Sequence, residues 1–200
     1  MAIYGCRGAC IAPFDGADPT DGATAPSYGT VYTLSKVNQV ADSATDASGT
    51  WYGDDSEAIK ITEFVGGTID NNFVDVEDST LAVVLGVSSD SDARPGMAYG
   101  VDDVTPYCGY GFYTKRLDNS GEVYWETVFY PKVKAKRGDQ TYKTKENNIN
   151  VTYVNLPMDW MAPNCGKYKI TKSFDTEALA KAYLAGLFAG TSTFPGLSAT

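Results

Sequence analysis

Between Glu122 and Pro157 the apolar positions recur at every second residue. Over 122–134, Val123, Trp125, Phe129 and Val133 fall on one side, and Tyr124, Glu126, Tyr130, Lys132 and Lys134 on the other. A period of two in aromatic and β-branched residues predicts a β-strand. A second run, 148–156, sets Ile149, Val151 and Tyr153 against Thr152, Val154 and Leu156, so it predicts a strand covered on both faces. Arg137-Gly138-Asp139-Gln140 between them is a turn signal. The two runs are therefore expected to pair antiparallel across a long basic connection.

The rest of the chain divides by the same reasoning. Residues 1–28, dense in Gly, Pro, Asp and Ala after Ile11, read as an N-terminal arm. Residues 29–37 read as a strand, and the small polar stretch after it, to about Gly53, as a long loop or a projecting hairpin tip. Residues 57–65 alternate, with Ile59 and Ile61 opposite Lys60, Thr62 and Phe64; Gly66-Gly67 is a turn or bulge, and 68–76 a second strand. Asp78-Ser79 is read as the cap of a short helix closed by Gly86. Residues 88–105 read as a surface loop, and 106–117 as a strand joined through Asp118-Asn119-Ser120-Gly121 to the run at 122. After Pro157 a loop and a short strand, KYKITK, precede one clear helix. Ser173 or Asp175 is its candidate N-cap, Leu179, Tyr183, Leu184, Leu187 and Phe188 its apolar stripe, and Gly190 its C-cap. Residues 191–200 read as a tail.

Composition narrows the function classes. The chain has no histidine, which removes the usual general base, the usual metal ligand and every His-containing triad. The four cysteines, Cys6, Cys10, Cys108 and Cys165, lack the paired spacing of a zinc site, and the N-terminus lacks a signal-peptide pattern. Buried thiols in a cytoplasmic or lysis-released protein are expected, and no apolar run is long enough to span a bilayer. Net charge is −9 and unevenly spread: residues 1–100 carry 15 Asp or Glu against 4 Lys or Arg, whereas 101–200 carry 10 against 12. Tyr52-Gly53-Asp54-Asp55 matches the metal-binding hairpin of viral polymerases over four residues, but it equally makes a turn.

In order and spacing, Trp51 to Asp55, Val128 to Lys134 and Lys143 to Asn148 resemble segments of the major tail proteins of long-tailed phages with non-contractile tails. The resemblance covers roughly residues 29–190. It implies a mainly β fold: a tail-tube-type β-sandwich or half-barrel, flanked by the C-terminal helix and a short second helix, with extended arms and loops. It also implies a structural virion protein without enzymatic activity or cofactor. Six copies form a ring, and stacked rings form the tube that carries the genome. The implied partners are further copies of the chain, the tape measure, tail terminator and distal tail proteins, and DNA passing through unbound, with no membrane. Assembly is in the bacterial cytoplasm and residence in the virion.

Under this reading Glu57, Glu63, Asp70, Asp75 and Glu77 are expected to line a negative lumen. Asp42, Asp46, Trp51, Tyr52, Lys132, Lys134, Lys136, Arg137, Lys143 and Lys145 are expected at subunit and ring contacts. The basic segment 132–145 has a rival reading as a DNA-binding patch. The alternatives for the chain are another phage β-module, such as a capsid decoration or tail terminator protein, and a small hydrolase using Asp54 and Asp55.

Overall fold

The structure, a computed structural model, describes residues 2–53, 56–90, 92, 96–140 and 152–197, with the backbone alone at 2, 52–53 and 56–58. In chain order the elements are β1 (Ala2–Pro13), β2 (Tyr32–Thr33), β3 (Val37–Gly53), β4 (Ser56–Phe73), α1 (Asp78–Leu85), β5 (Ser88–Ser89), β6 (Met97–Ala98), β7 (Tyr107–Leu117), β8 (Val123–Ala135), β9 (Val154–Asn155), β10 (Met158–Trp160), β11 (Ile170–Phe174) and α2 (Glu177–Phe188). Nine strands form one antiparallel sheet in the order β2-β1-β7-β8-β10-β4-β3, with β11 added to β8 and β9 to β4. β1 and β3, from opposite ends of that order, come into contact, so the sheet curls into a half-barrel. The fold is mainly β with two helices, as the alternating pattern and turn-rich composition predict.

The curl gives two apolar layers. The inner one gathers Ile11, Ile69, Phe73, Tyr110, Val128, Tyr130, Val133 and Trp160 around α1, which supplies Leu81, Val84 and Leu85. Asn71, buried in this layer, is matched: Tyr110 Oη donates to Asn71 Oδ1 (2.8 Å), and Asn71 Nδ2 donates to the Leu156 carbonyl (3.2 Å). The outer layer holds Tyr113, Trp125, Phe129 and Ile170 beneath Ala180, Leu184, Leu187 and Phe188 of α2.

Pro131 decides how β8 serves both layers. Across β7–β8, Cys108 faces Val133 while Tyr110 faces Tyr130, so β8 carries an extra residue at 131–132. A bulge is where a strand tolerates proline. One extra residue inverts the facing of everything beyond it. Trp125 and Phe129 thus sit under α2, but Val133 joins the inner layer; the single-face reading of these three is corrected. The bend also lets one edge of β8 pair with β11 over 125–129 and with β10 over 133–135.

Several other expectations change. The described part of the second run pairs with β4, as Asn72 with Asn155 and Phe73 with Val154, and not with β8. Residues 2–13 are no arm but a strand inside the sheet; register shifts beside Gly5 and Gly8, both at positive φ, hide its period. Residues 14–28 form a closed loop on the sheet. Phe14 bridges Tyr28, the Tyr28 hydroxyl donates to the Pro131 carbonyl (2.9 Å), and Asp18 pairs with Lys132 (2.9 Å). Of the two readings of the stretch to Gly53, the loop gives way to the hairpin, as strand β3 paired with β4, and the loop after Pro157 contains β10. α2 is capped by Thr176, whose hydroxyl accepts from Leu179 N, and α1 starts after Glu77 without a side-chain cap. Leu179 is exposed; Ala180 takes its place in the buried stripe. No helix among the described residues is long and apolar enough to cross a membrane.

Candidate assembly surface

β3 and β4 pair from Val37–Phe73 out to Gly53–Ser56. β10 supports β4 only over 67–69, β9 only at 72–73, and β3 ends the sheet order. Beyond Thr45 the pair is therefore a two-stranded ribbon among the described residues. At about 3.4 Å per residue the ribbon extends roughly 27 Å. An isolated hairpin of this kind is marginal in water and leaves the edge of β3 open to another strand.

Register assigns the ribbon's faces. Trp51 lies opposite Ile59, Gly49 opposite Ile61, and Ala47 opposite Glu63, all on one face. Trp51 is 62% exposed and Ile59 55%. The other face carries Asp46, Ser48 and Thr50 against Phe64, Thr62 and Lys60. One side is thus apolar and ends in a carboxylate; the other is polar. Of the expected contact residues, Asp46 and Trp51 lie on the ribbon, while the side chain of Tyr52 is outside the described residues.

The root of the ribbon is braced. Phe64 stacks on Tyr168 (4.3 Å between ring centres) and on Trp160 (5.4 Å). Trp160 Nε1 donates to Asp42 (2.9 Å), and Lys169 Nζ meets the same carboxylate at 2.6 Å. Asp42, expected at a subunit contact, is thus engaged inside the chain. Burial pushes the Tyr130 phenol well up, and the Asp42 carboxylate beside it adds to the shift.

The acids expected to line a lumen separate into two groups. Glu63 rides on the free ribbon. Asp70 lies on the supported part of β4, on the face turned away from Ile69 and the inner layer. α2 covers β7, β8 and β11, so it leaves that face of β3–β4 open. Asp75 and Glu77 are exposed in the link to α1. The side chain of Glu57 is outside the described residues, as are Asp54 and Asp55.

The basic residues are mostly answered within the chain. Lys132 pairs with Asp18, Lys136 with Asp159 (2.6 Å) and Arg137 with Asp103 (3.0 Å). Lys134 lies over the Tyr107 ring at 5.6 Å. Lys143 and Lys145 are outside the described residues. Among the described residues no group of three or more His, Cys, Asp or Glu converges as a metal site.

Sequence reasoning reached Trp51 through its motif but missed the apolar face it shares with Ile59 and Ile61. The strand period was legible there; the pairing that aligns the two strands was not. No family model matches the chain, and no curated protein sequence matches it.

Proposed function

We propose that this chain is a structural subunit that polymerises with its own copies, as stacked rings, into the tail tube of a long-tailed bacteriophage. The observation that carries the reading is the β3–β4 ribbon, a projecting hairpin whose apolar face leaves Trp51, Ile59 and Ile61 exposed among the described residues. The order of the Trp51, Val128 and Lys143 segments supports it independently. A subunit with an open β3 edge gains burial and strand pairing by joining copies of itself. Head-to-tail contacts close into a ring in one direction and extend as a filament in the other.

The genome crosses such a tube without binding. Asp70, Asp75 and Glu77, exposed on or beside the uncovered face of β4, supply the negative lining. Two like charges about 10 Å apart in water repel by only about 0.4 kcal/mol before screening, so repetition around the ring and along the tube provides the effect. Lys132, Lys136 and Arg137 hold carboxylates of their own chain, which argues against the rival DNA-binding patch. The tape measure, tail terminator and distal tail proteins are the further partners of this reading.

Negative-stain microscopy of the concentrated protein is the test. Rings or tubes with a central channel are the expected result. A monodisperse monomer at every concentration overturns the reading.

A further inference from the structure

An apolar groove of about 580 Å³ lies between α2 and the edge formed by β1 and β2. It lies alongside α2, which packs on β7, β8 and β11; from β1, Ala12 and Cys10 join the same apolar layer and Arg7 pairs with Glu177 (3.6 Å). Gly8, Cys10, Tyr28, Tyr113, Leu184 and Phe188 line it. Gly8, at φ +60, is where the Tyr113 ring lies against the backbone; a Cβ there would collide with that ring. Lys181 lines the groove, and its side chain is exposed.

The ribbon and the groove are complementary in three respects. Both are apolar along most of their length. The ribbon's apolar face carries Glu63 and the groove Lys181, and neither has an ion-pair partner among the described residues. Their spacings also match. From Ile59 to Glu63 is about 13 Å along β4 at ~3.3 Å per residue. From Lys181 to Ala189 is about 12 Å along α2 at ~1.5 Å per residue. Placing Glu63 at Lys181 therefore puts Ile59 and Trp51 beside Phe188 and Ala189.

We infer that the apolar face of one copy's ribbon docks in the α2–β1 groove of the next copy, with Glu63 meeting Lys181. The inference rests on the tube reading and names the surface that receives the hairpin. It is a heterologous contact, ribbon to groove, so it propagates from copy to copy instead of closing a symmetric dimer. Apolar packing supplies the affinity and the Glu63–Lys181 pair sets the register.

The test compares assembly of the full chain with four variants, using sedimentation and microscopy, with circular dichroism as the check on folding. Ala185→Arg fills the groove from an exposed helix position, so the fold is kept; loss of assembly is expected. Glu63→Lys and Lys181→Glu each place like charges together and should raise the concentration needed for assembly about tenfold. The double variant Glu63→Lys/Lys181→Glu should restore it to within a few-fold of the parent. Should the parent assemble and Ala185→Arg assemble equally well, or the double variant be no better than the singles, the groove is not the receptor, although the tube reading stands. If the parent itself never assembles, the tube reading fails and takes this contact with it.

Discussion

Glu63 and Asp70 stand on the same face of β4, although they are seven positions apart and a regular strand would set them on opposite faces. Between them Val65 has no partner in the register: Thr45 faces Gly66 and Asp46 faces Phe64. β3 runs through this region without interruption, so Ala41, opposite Asp70, and Ala47, opposite Glu63, share a face. The same slip turns Phe64 toward Trp160 and Tyr168, and turns Ile59 and Ile61 to the side of Trp51. A single extra residue thus makes the apolar face of the ribbon.

Gly67 sits opposite Trp160 in the β10 pairing, and a Cβ there would run into the Trp160 ring and the Ser43 carbonyl. Neither neighbour is a free end that can swing away. Gly67→Ala is expected to destabilise by about 1–3 kcal/mol, the usual cost of overpacking. Urea unfolding measures it, and a loss under half a kilocalorie would show that the sheet absorbs the methyl group.

Asp42 joins the hairpin to β10 and to the segment before β11 through two charged contacts, Trp160 Nε1 and Lys169 Nζ. Asp42→Ala removes the acceptor from a part-buried indole and should cost about 2 kcal/mol. Lys169→Met removes only a partly exposed ion pair and should cost about 1 kcal/mol or less. If equilibrium unfolding gave equal losses for the two, the indole bond would be no part of the brace.

Burial raises the Glu126 carboxyl above its ordinary value despite the opposing Arg116 guanidinium at 2.5 Å. The folded chain therefore holds this proton more tightly than the unfolded chain does. Its contribution to stability is full below the unfolded value near 4.5 and declines as pH rises through the higher folded value. Glu126→Gln removes the titration. Relative to the parent, the variant should gain stability as pH rises from about 4.5 and stay level below it. Melting curves across that window report the slope, and parallel curves would falsify the assignment.

Cys6 and Cys108 are pushed up to about 12 by burial. At pH 8 roughly one such thiol in ten thousand is a thiolate, the reactive form. Iodoacetamide should label both slowly in the folded chain and completely in denaturant, read by peptide mass mapping. Rapid labelling in the native protein contradicts the buried placement of Cys108, and for the half-buried Cys6 it contradicts the raised thiol.

The amino-acid order by itself determined what depends on near neighbours. The period of two marks β8 and the first half of β4, the Tyr- and Gly-rich run marks β7, the Asp118–Gly121 turn joins β7 to β8, and Gly86, at φ +66, ends α1. The stripe of Leu184, Leu187 and Phe188 marks α2. Tertiary structure decided which strand lies beside which, and so which face each side chain takes. It set β1 between β7 and β2 despite a masked period, sent Val154–Asn155 to β4, and turned Val133 away from Phe129. The reason is that a strand's hydrogen bonds are completed by residues far along the chain. One unpaired residue, such as Val65 or the one at 131–132, inverts every facing beyond it and leaves almost no local trace.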